Sequence, residues 1–175
     1  MERCTAEMPP IRGVVQCAAV LEDSIYQNMT HGKWRASNRP KIHGSIILHW
    51  LLLSHELQFS VMLSSIAGVV GNRSQAIYAA GNTVQDALAH YRGSLGLPAV
   101  SIDLGLMLDI GLIAERGGAP NLKKWEAVGI REVEFHALLT AAMTGYWSGS
   151  PVPTQLISGL PTGGILQAEG LDHPF

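Results

Sequence analysis

The chain has 175 residues, 47% of them hydrophobic and 15% charged, with a formal net charge of −2. That length holds one domain with a real core, and its dispersed Lys and Arg residues exclude the basic field that nucleic-acid binding requires. Cys4 and Cys17 give no disulfide framework. The first ten residues lack the charged-then-apolar pattern of a signal peptide, so a cytoplasmic setting is expected.

In chain order, IRGVVQCAAV at 11–20 reads as a buried strand. The stretch from Ser24 to Ser54 reads as helical material broken near Asn38-Arg39-Pro40, because proline disfavours helix in the residue before it. Lys41 is expected to start the next helix. SIILHWLLL at 45–53 is too short to cross a bilayer, so no membrane association is expected and a core helix is the reading. FSVMLSS at 59–65 is a short apolar strand, QAIYAAGNTVQDALAHYRGSLG at 75–96 a helix with glycine as its stop, and PAVSIDLG at 98–105 the next strand. The stretch LMLDIGLIAERGGAPN shows no clear period. EFHALLTAAMTG at 134–145 reads as an amphipathic helix and TQLISG at 154–159 as a closing strand. Alternation of strand and helix implies an open parallel α/β sheet.

Four polar residues stand out against this frame: Lys41, Ser65, Tyr78 and Asn82. Tyr78 and Asn82 are four apart and leave one face of the helix. Ser65 ends a strand just upstream. Together they suit carbonyl reduction, in which hydride addition puts negative charge on an oxygen that needs an acid and hydrogen-bond donors. Tyr78 is the candidate acid, and an ammonium at Lys41 is expected to pull its phenol below the usual value near 10. Ser65 would hold the substrate oxygen, and Asn82 would orient Lys41 or a relay water. A hydrolase reading, with Ser65 as nucleophile and Asp103 and His136 as partners, lacks a GxSxG elbow and leaves Lys41 and Tyr78 unused. The seven histidines show no metal-ligand spacing, and no metal site is expected.

Read in order, RGVVQCAAVLED, PKIHGSIILHWLL, FSVMLSSIAGVVGNRSQAIYAAGNTVQDALAHYRGSLGLPAVSIDLG and LISGLPTGG closely resemble the ketoreductase domain of fungal highly reducing polyketide synthases, within the short-chain dehydrogenase/reductase superfamily. The resemblance implies a Rossmann-like α/β fold, NADPH as cofactor, and reduction of a β-ketoacyl thioester carried on an acyl-carrier protein to the β-hydroxy form. Matched by position, Lys41, Ser65, Tyr78 and Asn82 are the catalytic set, with Asn82 where most short-chain dehydrogenases have lysine. Ala18, Ala19, Lys41, Tyr78 and Gly105 fall on the cofactor side. Ala19 replaces the glycine of the family's HAAGV-like segment, adding a methyl near the cofactor's ribose. Leu21-Glu22-Asp23 and Val70 occupy positions linked in bacterial relatives to the configuration of the alcohol.

No GxGxxG motif precedes Tyr78, although such a loop lets backbone N–H groups approach a pyrophosphate. GLPTGG at 159–164 reads as a turn. The expectation is one truncated ketoreductase-like domain over 1–175, with a catalytic core at about 11–105, a lid-like segment at 106–133, and a last helix and strand at 134–165. A sheet without its first strands exposes an edge that a partner chain or a second copy would cover. The alternative is a non-catalytic remnant or interaction module that keeps these residues without a cofactor site.

Overall fold

A computed structural model describes residues 7–111 and 128–160. Its elements are β1 (Gly13–Gln16), α1 (His31–Asn38), α2 (Gly44–Leu51), β2 (Phe59–Ser65), the single turn α3 (Ala67–Val70), α4 (Ala76–Ser94), β3 (Val100–Leu104), α5 (Glu132–Thr144), the short β4 (Tyr146–Trp147) and β5 (Ser150–Pro151), and β6 (Gln155–Ile157). Strands β1, β2, β3 and β6 form one sheet in that order, every pair parallel. β4 and β5 make a separate antiparallel hairpin. The expected parallel α/β architecture is the one observed.

Successive residues of a strand point to opposite faces, and here the two faces differ in chemistry. Phe59, Val61 and Leu63 of β2, Val100, Ile102 and Leu104 of β3, and Leu156 of β6 pack with Leu139 and Ala142 of α5. Val61 and Ile102 are fully buried in this cluster. The intervening residues are Ser60, Met62, Ser64, Ser101 and Asp103, and they face α4. All five are buried. From α4 they meet Asn82, Gln85, Asp86 and Arg92, a buried stripe at helical spacing that also includes Ile77, Gly81 and Ala89.

Two boundaries differ from expectation. β1 covers only Gly13–Gln16, because Gln16 turns its amide oxygen onto the Ala18 N–H at 2.7 Å and draws the chain out of the strand. The Ser24–Ser54 region begins with an extended stretch and a 3-10 turn at Tyr26–Asn28, and helix starts only after Thr30, whose hydroxyl caps the Lys33 N–H at 3.2 Å.

From there the helix does not break at Asn38-Arg39-Pro40. A π-helical turn, Arg39–His43, joins α1 to α2. Pro40 has no N–H to contribute, and the wider turn closes past it, with the Gly44 N–H bonding to the Arg39 carbonyl. Lys41 therefore lies inside this turn rather than at a helix start.

Both long helices end on left-handed glycines. Gly96 has φ +71° just past α4, and Gly145 has φ +78° at the C-cap of α5. The strand expected at 154–159 shortens to Gln155–Ile157, and the helix expected at 134–145 starts two residues earlier. Most of the 106–133 segment, and residues 161–165 of the last part, lie outside the described residues. No helix among the described residues is long and apolar enough to cross a membrane.

Candidate active site

β2 runs three residues past the last pair it makes with β1, so its carboxyl end projects beside β3 alone. Ser65 is the final residue. Its hydroxyl accepts from the Ala67 N–H at 3.2 Å, capping the turn that follows, and donates a long bond of 3.5 Å to the Leu104 carbonyl. α4 then carries Tyr78 across this end. Burial raises the Tyr78 phenol above its ordinary value, and the nearby Ser65 and Asn82 side chains act in the opposite direction. The Ser65 side chain thus lies close enough to the Tyr78 phenol to act on it.

Lys41 departs from expectation. It is buried, and its ammonium donates to the Leu63 carbonyl at 2.7 Å and to Gln85 Oε1 at 2.9 Å. It stands 5.4 Å from the centre of the Tyr78 ring, over its face. Burial lowers the Lys41 ammonium to about 8, while the carboxyls of Asp86 and Asp103 and the Cys17 thiol act to raise it. The expected lowering of the Tyr78 phenol is overturned. Desolvation outweighs every neighbouring group, and the ammonium is spent on a carbonyl and an amide behind the ring.

Asn82 does not orient Lys41 either. Its Nδ2 donates to the Tyr78 carbonyl one turn back at 2.8 Å, and its buried Oδ1 has no hydrogen-bond partner among the described residues. The side chain that accepts from Lys41 is Gln85, which sequence reasoning passed over. Gln85 follows Tyr78 by seven and Asn82 by three, so the same helical spacing that links those two includes it. Asn38, with the π turn just after it, is the other omission. With its side-chain amide turned over, it bridges Trp34 Nε1 and the Ile77 carbonyl at 3.3 and 3.2 Å.

Asp86 and Asp103 face each other beneath this layer. Burial and the Asp103 charge push the Asp86 carboxyl up to about 6, with the Ser64 and Ser101 hydroxyls opposing. Asp103 is fixed by Gln155, whose Nε2 donates to Oδ2 at 2.7 Å. This placement also removes the hydrolase reading. Asp103 is fully buried in the polar layer, and His136 lies on the outer part of α5 with a 4.0 Å contact to Glu132.

Of the residues expected on the cofactor side, Ala18 and Ala19 are exposed where the chain leaves β1. Gly105 leaves β3 against β6. Its N–H donates to Ser158 Oγ at 3.2 Å, and a Cβ there would lie 2.7 Å from Gly159 Cα. The glycine therefore serves a close crossing of two backbones. All of these positions lie at the carboxyl ends of the parallel strands, where open α/β sheets bind ligands.

Residues 1–109 match the family model described as the KR domain. The chain is a ketoreductase-family protein. It is 54% identical over 174 residues to the highly reducing polyketide synthase Preu1 of Preussia isomera, covering 96% of this chain and 7% of that one. It is 48% identical over 178 residues to the highly reducing polyketide synthase ZEA2 of Gibberella zeae, covering 99% of this chain and 8% of the relative. Among solved structures, an A-type ketoreductase from a modular polyketide synthase superposes with a TM-score of 0.77 at 28% identity, covering 90% of this chain and 33% of that one. The chain thus spans less than a tenth of these synthases and a third of that ketoreductase.

Proposed function

We propose that this ketoreductase chain carries the acid and the oxygen-binding donors for NADPH-dependent reduction of a β-ketoacyl thioester, presented on an acyl-carrier protein, to the β-hydroxyacyl thioester. The observation that carries the reading is the meeting of the Ser65 hydroxyl and the Tyr78 phenol at the carboxyl edge of the sheet, with a buried ammonium behind the ring. The nicotinamide end of the cofactor suits this edge, because Ala18 and Ala19 present backbone and methyls only and are exposed beside it. Ala18, Ala19, Lys41, Tyr78 and Gly105 are the residues assigned to that side. When bound, reduced nicotinamide supplies the hydride that adds to the carbonyl carbon.

The residues of this chain handle the oxygen. Ser65 Oγ, tied to Leu104 only by a long bond, turns to donate to the substrate oxygen. Burial keeps Tyr78 protonated, which is the form that can give a proton to the developing alkoxide. The C=O π bond breaks, the oxygen takes the Tyr78 proton, and a hydroxyl results. Lys41, facing the ring that becomes phenolate, stabilises the charge left on Tyr78. Asn82 fixes the turn of α4 that bears Tyr78 through its bond to the Tyr78 carbonyl.

Since the sequence holds no GxGxxG loop, the pyrophosphate is assigned to a nucleotide-binding half that pairs alongside β1, the edge strand of the described sheet. The test is to supply NADPH and a model β-ketoacyl thioester to the chain alone and to the chain mixed with the nucleotide-binding half of a related ketoreductase. Turnover in the mixture, abolished by Tyr78→Phe, is the expected result. If the mixture binds NADPH and still gives no alcohol, the reductase reading fails and a non-catalytic interaction module takes its place.

A further inference from the structure

Lys41 is an expensive residue to bury. A desolvated ammonium must be held by acceptors or it surrenders its proton, and two features of α4 supply the holding. The first is an empty slot. A Cβ at Gly81 would lie 3.2 Å from Lys41 Cβ and 3.3 Å from its Cδ, so the lysine stem lies along the helix where that side chain is missing. A glycine inside a helix costs about 1 kcal/mol against alanine, and the close approach of the stem is the physical reason to carry it here.

The second feature lies one turn on. Gln85 is fully buried and accepts from Lys41 Nζ at 2.9 Å, while its Nε2 donates to Ser45 Oγ at 3.1 Å. The ammonium can only donate, so it takes the amide oxygen and leaves the amide nitrogen to Ser45, which ties down the far end of the side chain. Ser45 in turn receives a long bond of 3.5 Å from Gln16, whose amide also donates to the Pro40 carbonyl at 2.7 Å and accepts from the Ala18 N–H at 2.7 Å. Gln16 thus links the exit of β1 to the π turn that bears Lys41.

We propose that Gln85 is the positioning residue for Lys41: its amide oxygen, with the amide nitrogen tied to Ser45, holds the ammonium protonated and turned toward the face of the Tyr78 ring. The inference builds on the reductase reading but concerns the ground state of this chain alone. The other groups acting on the ammonium are the Leu63 carbonyl, which accepts from it at 2.7 Å, the Asp86 and Asp103 carboxyls and the Cys17 thiol, which favour its charged form, with the Tyr78 ring across from it. Removing the Gln85 acceptor leaves these intact.

The test is an NMR titration of lysine side chains in the whole chain, which contains four lysines. The Lys41 signal is identified as the one lost in Lys41→Met. In the unaltered chain it is expected to titrate near 8. Gln85→Leu is expected to lower that midpoint by about one pH unit, a tenfold change in proton affinity. Gln85→Glu, which keeps the shape and adds a negative charge, is expected to raise it by at least as much. Ser45→Ala, which removes the partner of the amide nitrogen and loosens the side chain, gives a smaller drop.

An unchanged midpoint in a folded Gln85→Leu or Gln85→Glu chain overturns the proposal. Should Gln85→Leu fail to fold, the glutamate variant decides alone by the same criterion. Because the titration needs neither NADPH nor turnover, loss of the reductase reading leaves its outcome standing.

Discussion

The two faces of this sheet are built on opposite principles. Beneath α5, Val61, Val100, Ile102 and their neighbours form an apolar layer that needs only shape and burial. Beneath α4, Ser64, Ser101, Asp103, Asn82, Gln85, Asp86 and Lys41 are just as buried, yet each carries groups that must be paired. Pairing there is incomplete. Among the described residues, Asn82 Oδ1, Asp86 Oδ1, Ser101 Oγ and Asp103 Oδ1 have no hydrogen-bond partner. The contrast separates the layer that serves stability from the layer that holds the proposed chemistry. The apolar layer gives up nothing to chemistry, while the polar layer accepts a cost to hold an ammonium behind a tyrosine.

The comparison breaks most sharply at Tyr78. Tyr78→Phe removes one oxygen, and it is expected to lower turnover in the assembled reductase by about 10² to 10⁴-fold while the melting temperature stays close to that of the parent. Steady-state rates and a thermal melt on the same sample check both halves. On the apolar face the reverse pattern is expected. Ile102→Ala leaves a cavity among fully buried neighbours and costs about 2 to 5 kcal/mol by denaturant titration, with the rate per folded molecule unchanged.

Gly105→Ala tests the junction between the layers, where β3 and β6 leave the sheet. Its methyl meets backbone rather than a flexible side chain, and a loss of about 1 to 3 kcal/mol is expected from chemical denaturation.

The smallest effect is at Asp86. Its carboxyl rises from 3.8 to about 6 on folding, so the folded chain keeps a proton that the unfolded chain releases. Stability contributed at this site therefore falls as pH climbs from about 4 to about 6 and changes little above that. Asp86→Asn is expected to flatten that fall and to add about 1 kcal/mol at pH 7, measured by denaturant titration across the window.

Much of this was legible in the chain, and the reasons for the rest are physical. Local spacing made the Tyr78–Asn82 pair and the strand-end Ser65 visible, since both depend on residues close in sequence. The polar face was present as a period of two in FSVMLSS and VSIDL, but reading these as apolar runs hid it. Lys41 and Gln85 are 44 residues apart and meet only through tertiary packing. The direction of the Tyr78 shift needed burial, which no spacing rule supplies. Helix continuity through Pro40 depended on a π turn, a local geometry that overrides the usual reading of proline. The late start of α1 did have a signal, in Thr30 standing three residues before Lys33.

The most direct measurement follows deuterium from NADPH labelled at the transferable position of the nicotinamide into the product of the assembled reductase. The account predicts a β-hydroxyacyl thioester with one deuterium on the carbinol carbon, and none of that product from the Tyr78→Phe chain. Labelled alcohol appearing at the parent rate from Tyr78→Phe would contradict it.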